Sequence, residues 1–182
     1  MEMDTGDENM DQRDEAVIGE MIEKALHRMH HYTWAEASLQ GLQDIWELPV
    51  AHSWATAGYM GAIISGQATC GTLIGSALAI GLYCGHNIET TPEDCPDQRN
   101  RAIEGVKQLY ADFIKTFGDT DCFALCGCDF SNPHDTACYI EKQAWKDKCD
   151  VFLRFALKKC LQMSRDRVIW FNHHEPRLLR GF

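Results

Sequence analysis

The chain has 182 residues and a mass of 20.7 kDa, the size of one domain or at most two small ones. With 45% hydrophobic and 24% charged residues it has the balance of a soluble globular chain able to bury a core, which excludes a disordered or fibrous protein. Acidic residues outnumber basic ones 27 to 17, for a net charge of −10 and a pI near 5.2, which argues against a general nucleic-acid binder.

Taken in chain order, residues 1–14 offer little to bury and read as an acidic, solvated tail. Within residues 1–16, seven carboxylates (Glu2, Asp4, Asp7, Glu8, Asp11, Asp14 and Glu15) stand against Arg13 alone. The stretch has neither a basic start nor an apolar run, so no export signal is expected and the expected compartment is a reducing cytoplasm. Val17, Ile18, Met21, Ile22, Ala25, Leu26 and Met29 then make an amphipathic stripe that predicts a helix from about Asp14 to His30. His27 and His31 are four apart and could share a metal, but no His-Glu-x-x-His signature accompanies them, and a solvated helix end explains them. A second helix over Trp34, Ala37, Leu39, Leu42, Ile45 and Trp46 should stop before Pro49.

From Leu48 to Ile88 there is no Asp, Glu, Lys or Arg. A membrane span needs about 20 apolar residues. This run carries His52, Ser53, Thr56, Ser65, Gln67, Thr69, Thr72 and Ser76, has no basic flanks, and holds glycines at 58, 61, 66, 71, 75, 81 and 85. Closely packed helices of a soluble core are the expectation. Thr91-Pro92-Glu93-Asp94 has the form of a helix start, with Thr91 as N-cap. Ile103, Val106, Leu109, Tyr110, Phe113, Ile114 and Phe117 predict that helix's buried face, and Gly118 its stop. Asp119-Thr120-Asp121 can cap a short helix from Cys122 to Cys126, and Asn132-Pro133 starts another segment. A last helix is expected from about Asp135 to Ser164, with Trp145, Cys149, Phe152, Ala156 and Cys160 on one face. No segment alternates with period two, so the fold class is all-α: a compact helical bundle with Gly-rich buried central helices.

Nine cysteines are an odd number, so they cannot all pair within one chain. In a reducing compartment clustered thiols bind metal or an iron–sulfur cluster, or do redox chemistry. Cys70 lies in Thr69-Cys70-Gly71-Thr72-Leu73-Ile74-Gly75, where glycines on either side of an apolar helical turn let a backbone or a cofactor approach closely. Cys122, Cys126 and Cys128 form a Cys-x-x-x-Cys-x-Cys cluster, and Cys122 at a capped helix start should have a lowered pKa. Cys149 follows Asp147-Lys148 on the last helix, and Cys95 precedes Pro96. Cys84, Cys138 and Cys160 read as small core residues.

The run Cys70-Gly71-Thr72-Leu73-Ile74-Gly75 with Ala79-Ile80-Gly81-Leu82-Tyr83-Cys84-Gly85 resembles the Cys-Gly-Ala-x-x-Gly block of the redox-active C_GCAxxG_C_C family. The segments Asp121 to Pro133 and Lys148 to Arg154 resemble its third- and fourth-cysteine segments, so the resemblance spans about Glu15 to Gln162. Two positions depart from the pattern: Trp34 stands where the family has its first cysteine, and Thr72 replaces the usual alanine. A site copied from the family would be one ligand short, and Cys126, Cys128 or Cys138 could supply it. The resemblance implies a helical protein of anaerobic redox metabolism, related in its core to split-Soret cytochromes, with an iron–sulfur centre and without their haem-attachment sequence.

The leading expectation is therefore an iron–sulfur electron-transfer or redox-accessory protein, with Cys70, Cys122 and Cys149 as ligands, Cys126 or Cys128 completing the set, and Gly71 and Gly75 giving access. A redox protein and a second copy of the chain are the expected partners. The alternatives are a metal-free protein in which Cys122 attacks a disulfide and Cys70, Cys126 or Cys149 resolves it, or a non-catalytic subunit. Residues 163–182 form an aromatic and Arg-rich extension that either anchors an interface or folds back onto the core of residues 15–162.

Overall fold

The structure is a computed structural model that describes residues 33–86 and 91–170, together with residues 16, 17, 19, 20, 23, 24 and 27. The acidic tail, most of the first predicted helix, His31, and residues 171–182 lie outside the described residues. The described positions between 16 and 27 are helical, and Val17 packs against the main core.

Seven helices follow in the described chain: α1 (Trp34–Trp46), α2 (Tyr59–Ile64), α3 (Gly71–Cys84), α4 (Pro96–Phe117), α5 (Cys122–Cys126), α6 (Pro133–Glu141) and α7 (Cys149–Arg165). A 3-10 helix, Val50–Thr56, links α1 to α2. Among the described residues there is no strand, only one isolated antiparallel bridge between Thr69 and Asp121. The all-α expectation holds. No described helix is long and apolar enough to cross a membrane.

α1, α3, α4 and α7 pack on one another around the main core, with Leu39, Leu42, Ile45, Leu73, Ile80, Leu109, Phe113, Leu153 and Leu157 removed from water. Burial of such side chains stabilises by about 1.5–3 kcal/mol each before the ordering entropy is charged against it. α1 is opened by a capping box in which the Thr33 hydroxyl accepts from the Glu36 amide (3.2 Å) and the Glu36 carboxylate accepts from the Thr33 amide (2.6 Å). α1 and α3 approach so closely that a Cβ on Gly75 would overlap the Ala35 carbonyl oxygen and the Ser38 hydroxyl. Trp46 stacks on Tyr83 with centroids 4.4 Å apart, closing the far end of this pair.

Of the uncharged stretch only α3 is a buried helix; in the 3-10 helix and α2, Val50, Trp54, Met60 and Ile64 are exposed. Helix α4 starts at Pro96, not Pro92. Residues 91–94 form a separate turn, closed by the Asp94 amide on the Thr91 carbonyl (3.0 Å), because Pro96 bars its predecessor Cys95 from helical geometry. On α4, Leu109 and Phe113 are fully buried, whereas Ile103 and Ile114 flank the contact and are each 47% exposed. Gly118 ends it in the left-handed region (φ 87°), as expected.

The predicted last helix is two helices. The chain turns over residues 142–148, with Gln143 in the left-handed region (φ 50°), and Trp145 leaves the stripe to pack on Tyr139. After α7 the chain folds back onto α4. Ile169 is fully buried against Gly105, and the Arg101 guanidinium lies 3.7 Å over the Trp170 ring.

Candidate redox centre

At one end of the bundle a smaller core gathers Cys126, Cys128, Tyr139 and Cys149, with Trp34, Cys122, Phe130, Ala144 and Trp145 packed against it. Two helix starts and one helix end bring Cys122, Cys149 and Cys126 there, and Cys70, part of the main core, precedes a third start. Cys70 is the residue before α3, Cys122 and Cys126 are the first and last residues of α5, and Cys149 opens α7. The bridge between Thr69 and Asp121 ties the first two starts together: the Cys70 amide donates to the Thr120 carbonyl and the Cys122 amide to the Ala68 carbonyl, both at 2.7 Å. The Tyr59 hydroxyl donates to the Thr69 carbonyl (2.5 Å) beneath them. Asp121 caps α5 by accepting from the Ala124 amide at 2.8 Å, as its sequence predicts.

Cys70, Cys122, Cys126 and Cys149 each lie within electrostatic reach of the other three sulfurs. Cys128, the other candidate for the fourth place, feels Cys126 and Cys138 and the carboxylates of Asp135 and Asp129 instead. Its contribution is made by its backbone, whose amide donates to the Cys126 sulfur at 3.4 Å. Gly71 and Gly75 face Ala35 of α1, so they serve helix packing and not access to the sulfurs. Trp34 is packed against both cores.

Burial dominates the chemistry of these thiols. It pushes Cys70 up, against the amides of Thr72 and Leu73 and the Thr72 hydroxyl, which favour its thiolate. It pushes Cys149 up to about 12, against the Tyr139 hydroxyl, which lies 2.9 Å from its sulfur. The Cys122–Cys126 pair divides differently. Their proximity on α5 raises Cys122 and lowers Cys126 to about 7, helped by the Cys128 amide and by Lys148. The Lys148 ammonium is fixed there by donating to the Cys126 carbonyl at 2.5 Å. The more acidic thiol of the pair is thus Cys126, not the expected Cys122, because the Cys128 amide and Lys148 favour the Cys126 thiolate while burial raises Cys122. Among the described residues no three Cys, His, Asp or Glu side chains converge tightly enough to hold a single metal ion.

A helical bundle with Cys122, Cys126, Cys128 and Cys149 in or against one small core at one end is a cysteine-rich all-α protein. The sequence profile of the family described as "Putative redox-active protein (C_GCAxxG_C_C)" matches residues 32–163, well over half of the chain, and the chain belongs to that family. No curated protein and no solved structure matches it.

Proposed function

We propose that the chain is an electron-transfer or redox-accessory protein whose centre is an iron–sulfur cluster held by Cys70, Cys122, Cys126 and Cys149. The observation that carries this reading is the gathering of Cys122, Cys126 and Cys149 in or against one small core, with Cys70 tied to the start of α5 through the Thr69–Asp121 bridge. Two features support such a group. All four donors are sulfur, the ligand type of iron–sulfur clusters. The Cys128 amide donates to the Cys126 sulfur and the Tyr139 hydroxyl lies on the Cys149 sulfur, the kind of second layer that tunes a metal centre. Bound there, the cluster supplies one-electron transfer. The chain's part is to release thiol protons on loading, to exclude water around Cys70, Cys126 and Cys149, and to leave Cys122, the least buried of the four, as the edge facing a redox partner.

Protein purified without oxygen should contain iron and acid-labile sulfide in equal amounts and absorb broadly in the visible. Replacing Cys70, Cys122, Cys126 or Cys149 by Ser should abolish that absorbance, and C128S should keep it. A full iron complement in C122S or C126S defeats the assignment. A second reading is favoured by the placement of Cys122 and Cys126 four residues apart on one short helix, both in or against the small core. In it the Cys126 thiolate attacks a disulfide of a partner protein, expelling one partner thiolate. The Cys122 thiol, losing its proton, then attacks Cys126 and expels the second, leaving a Cys122–Cys126 disulfide and two reduced partner thiols. Metal-free protein after attempted reconstitution, with two thiols lost on mild oxidation and regained with reductant, selects that reading.

A further inference from the structure

A cavity of about 300 Å³ lies between the end of α3 and the first two turns of α4, half-open to solvent. It sits at the opposite end of α3 from Cys70, and the 14 residues of that helix hold the two places about 21 Å apart. Two local features make the space. Because Pro96 delays the start of α4, Pro92 stands outside the helix and forms a wall of the cavity. On the facing wall is Gly81, where a Cβ would meet nothing within 4 Å, so the glycine leaves room beside α3 at a cost in helix propensity. Ile103, which the sequence places on the buried face of α4, lines this space and is 47% exposed. Cys84 and Cys95 line it as well, and thiols behave as small hydrophobes.

Among the described residues that line the cavity, Arg99 carries the one charge. The ion pairs among the described residues do not engage its guanidinium. Its acidic neighbours in sequence, Glu93, Asp94 and Asp97, do not line the cavity, and the Asp94 carboxylate accepts from the Thr91 hydroxyl at 2.9 Å. An apolar space with one uncompensated cation at its wall is complementary to a molecule with an apolar body and a single anionic head. Small-molecule sites span about 300–1,000 Å³, and this one is at the lower end, so the molecule is small.

We propose that this cavity binds a small organic carboxylate, with its hydrocarbon chain or ring against Gly81 and Ile103 and its carboxylate paired with Arg99. The site is separate from the redox centre and holds whether that centre works through a cluster or through thiols.

The test titrates the full chain with octanoate, octan-1-ol and octylamine, which share one hydrocarbon body and differ in the head. Octanoate should bind saturably by calorimetry. It should also slow the alkylation of half-buried Cys95 by iodoacetamide, read by peptide mass spectrometry, and leave that of Cys122 unchanged. Octan-1-ol should bind about fivefold more weakly, the scale of one solvent-screened ion pair, and octylamine more weakly again. R99Q should bring octanoate down to the affinity of the alcohol and leave the alcohol unmoved. G81L fills the cavity and should remove the binding of both. Arg99 is exposed and outside the ion pairs, so R99Q keeps the fold and decides the matter if G81L fails to fold. No saturable binding of octanoate, or binding that leaves Cys95 as reactive as before, overturns the site. Equal affinity for octanoate and octan-1-ol, or octanoate binding that R99Q does not weaken, overturns the pairing of a carboxylate with Arg99 and the proposal with it.

Discussion

Cys122 and Cys126 carry the same side chain four residues apart on one helix, yet their proximity moves their protons in opposite directions, raising Cys122 and lowering Cys126. Removing one should therefore shift the other. In metal-free C122A the Cys126 thiolate should form at a higher pH than in wild type, since its burial remains and the neighbouring sulfur is lost. Thiolate ultraviolet absorbance against pH reads this directly, and an unshifted titration would contradict the assigned pair. The spacing of four was visible in the sequence, and i, i+4 neighbours on a helix face each other. What the sequence hid was which sulfur Lys148 and the Cys128 amide would favour, since Lys148 comes from a turn more than twenty residues away.

At the scale of elements, the local signals were legible wherever a cap or a stop is written in adjacent residues. The Asp121 cap, Asn132-Pro133 and Gly118 all act where they were read, whereas the Thr33–Glu36 box was equally local and went unread. Two boundaries were not legible. The turn at residues 91–94 carries the same residues as a helix start, and Pro96 overrules it. The break between α6 and α7 interrupts a continuous apolar stripe. It is fixed by contact: Tyr139 and Cys149 would lie about 15 Å apart on an unbroken helix, but their side chains touch. Within α3, one substitution should have opposite effects at two sites. G75A forces a methyl group into the backbone of α1 and should cost about 3 kcal/mol. G81A meets nothing within 4 Å and should stabilise by up to about 1 kcal/mol, the helix-propensity gain. Urea denaturation of the two variants checks both signs.

For the whole molecule, the buried thiols set the response to alkali. Burial raises Cys84 to about 11 and Cys149 to about 12, and raises Cys70 and Cys160 as well, from an ordinary value of 9.0. Above pH 9 the unfolded chain sheds these protons while the native protein keeps them, so the unfolded state binds fewer protons and stability falls as pH rises. Each fully buried thiol contributes a loss of about 1.4 kcal/mol per pH unit until its folded pKa is reached. The metal-free protein should therefore show a urea midpoint that drops between about pH 8 and pH 10; a flat profile would mean that these thiols are not desolvated.

The bridge between Thr69 and Asp121 also imposes an order of events. It joins positions about fifty apart, and Cys149 lies further along still. Closing so long a loop costs entropy that only the completed bundle offsets. While the chain is being synthesised, Cys70 emerges alone, and its three companion sulfurs reach it only after α5 and the start of α7 have been made and docked. A centre built on all four sulfurs would consequently be among the last parts to form, and a chain that stops before residue 149 lacks its fourth sulfur.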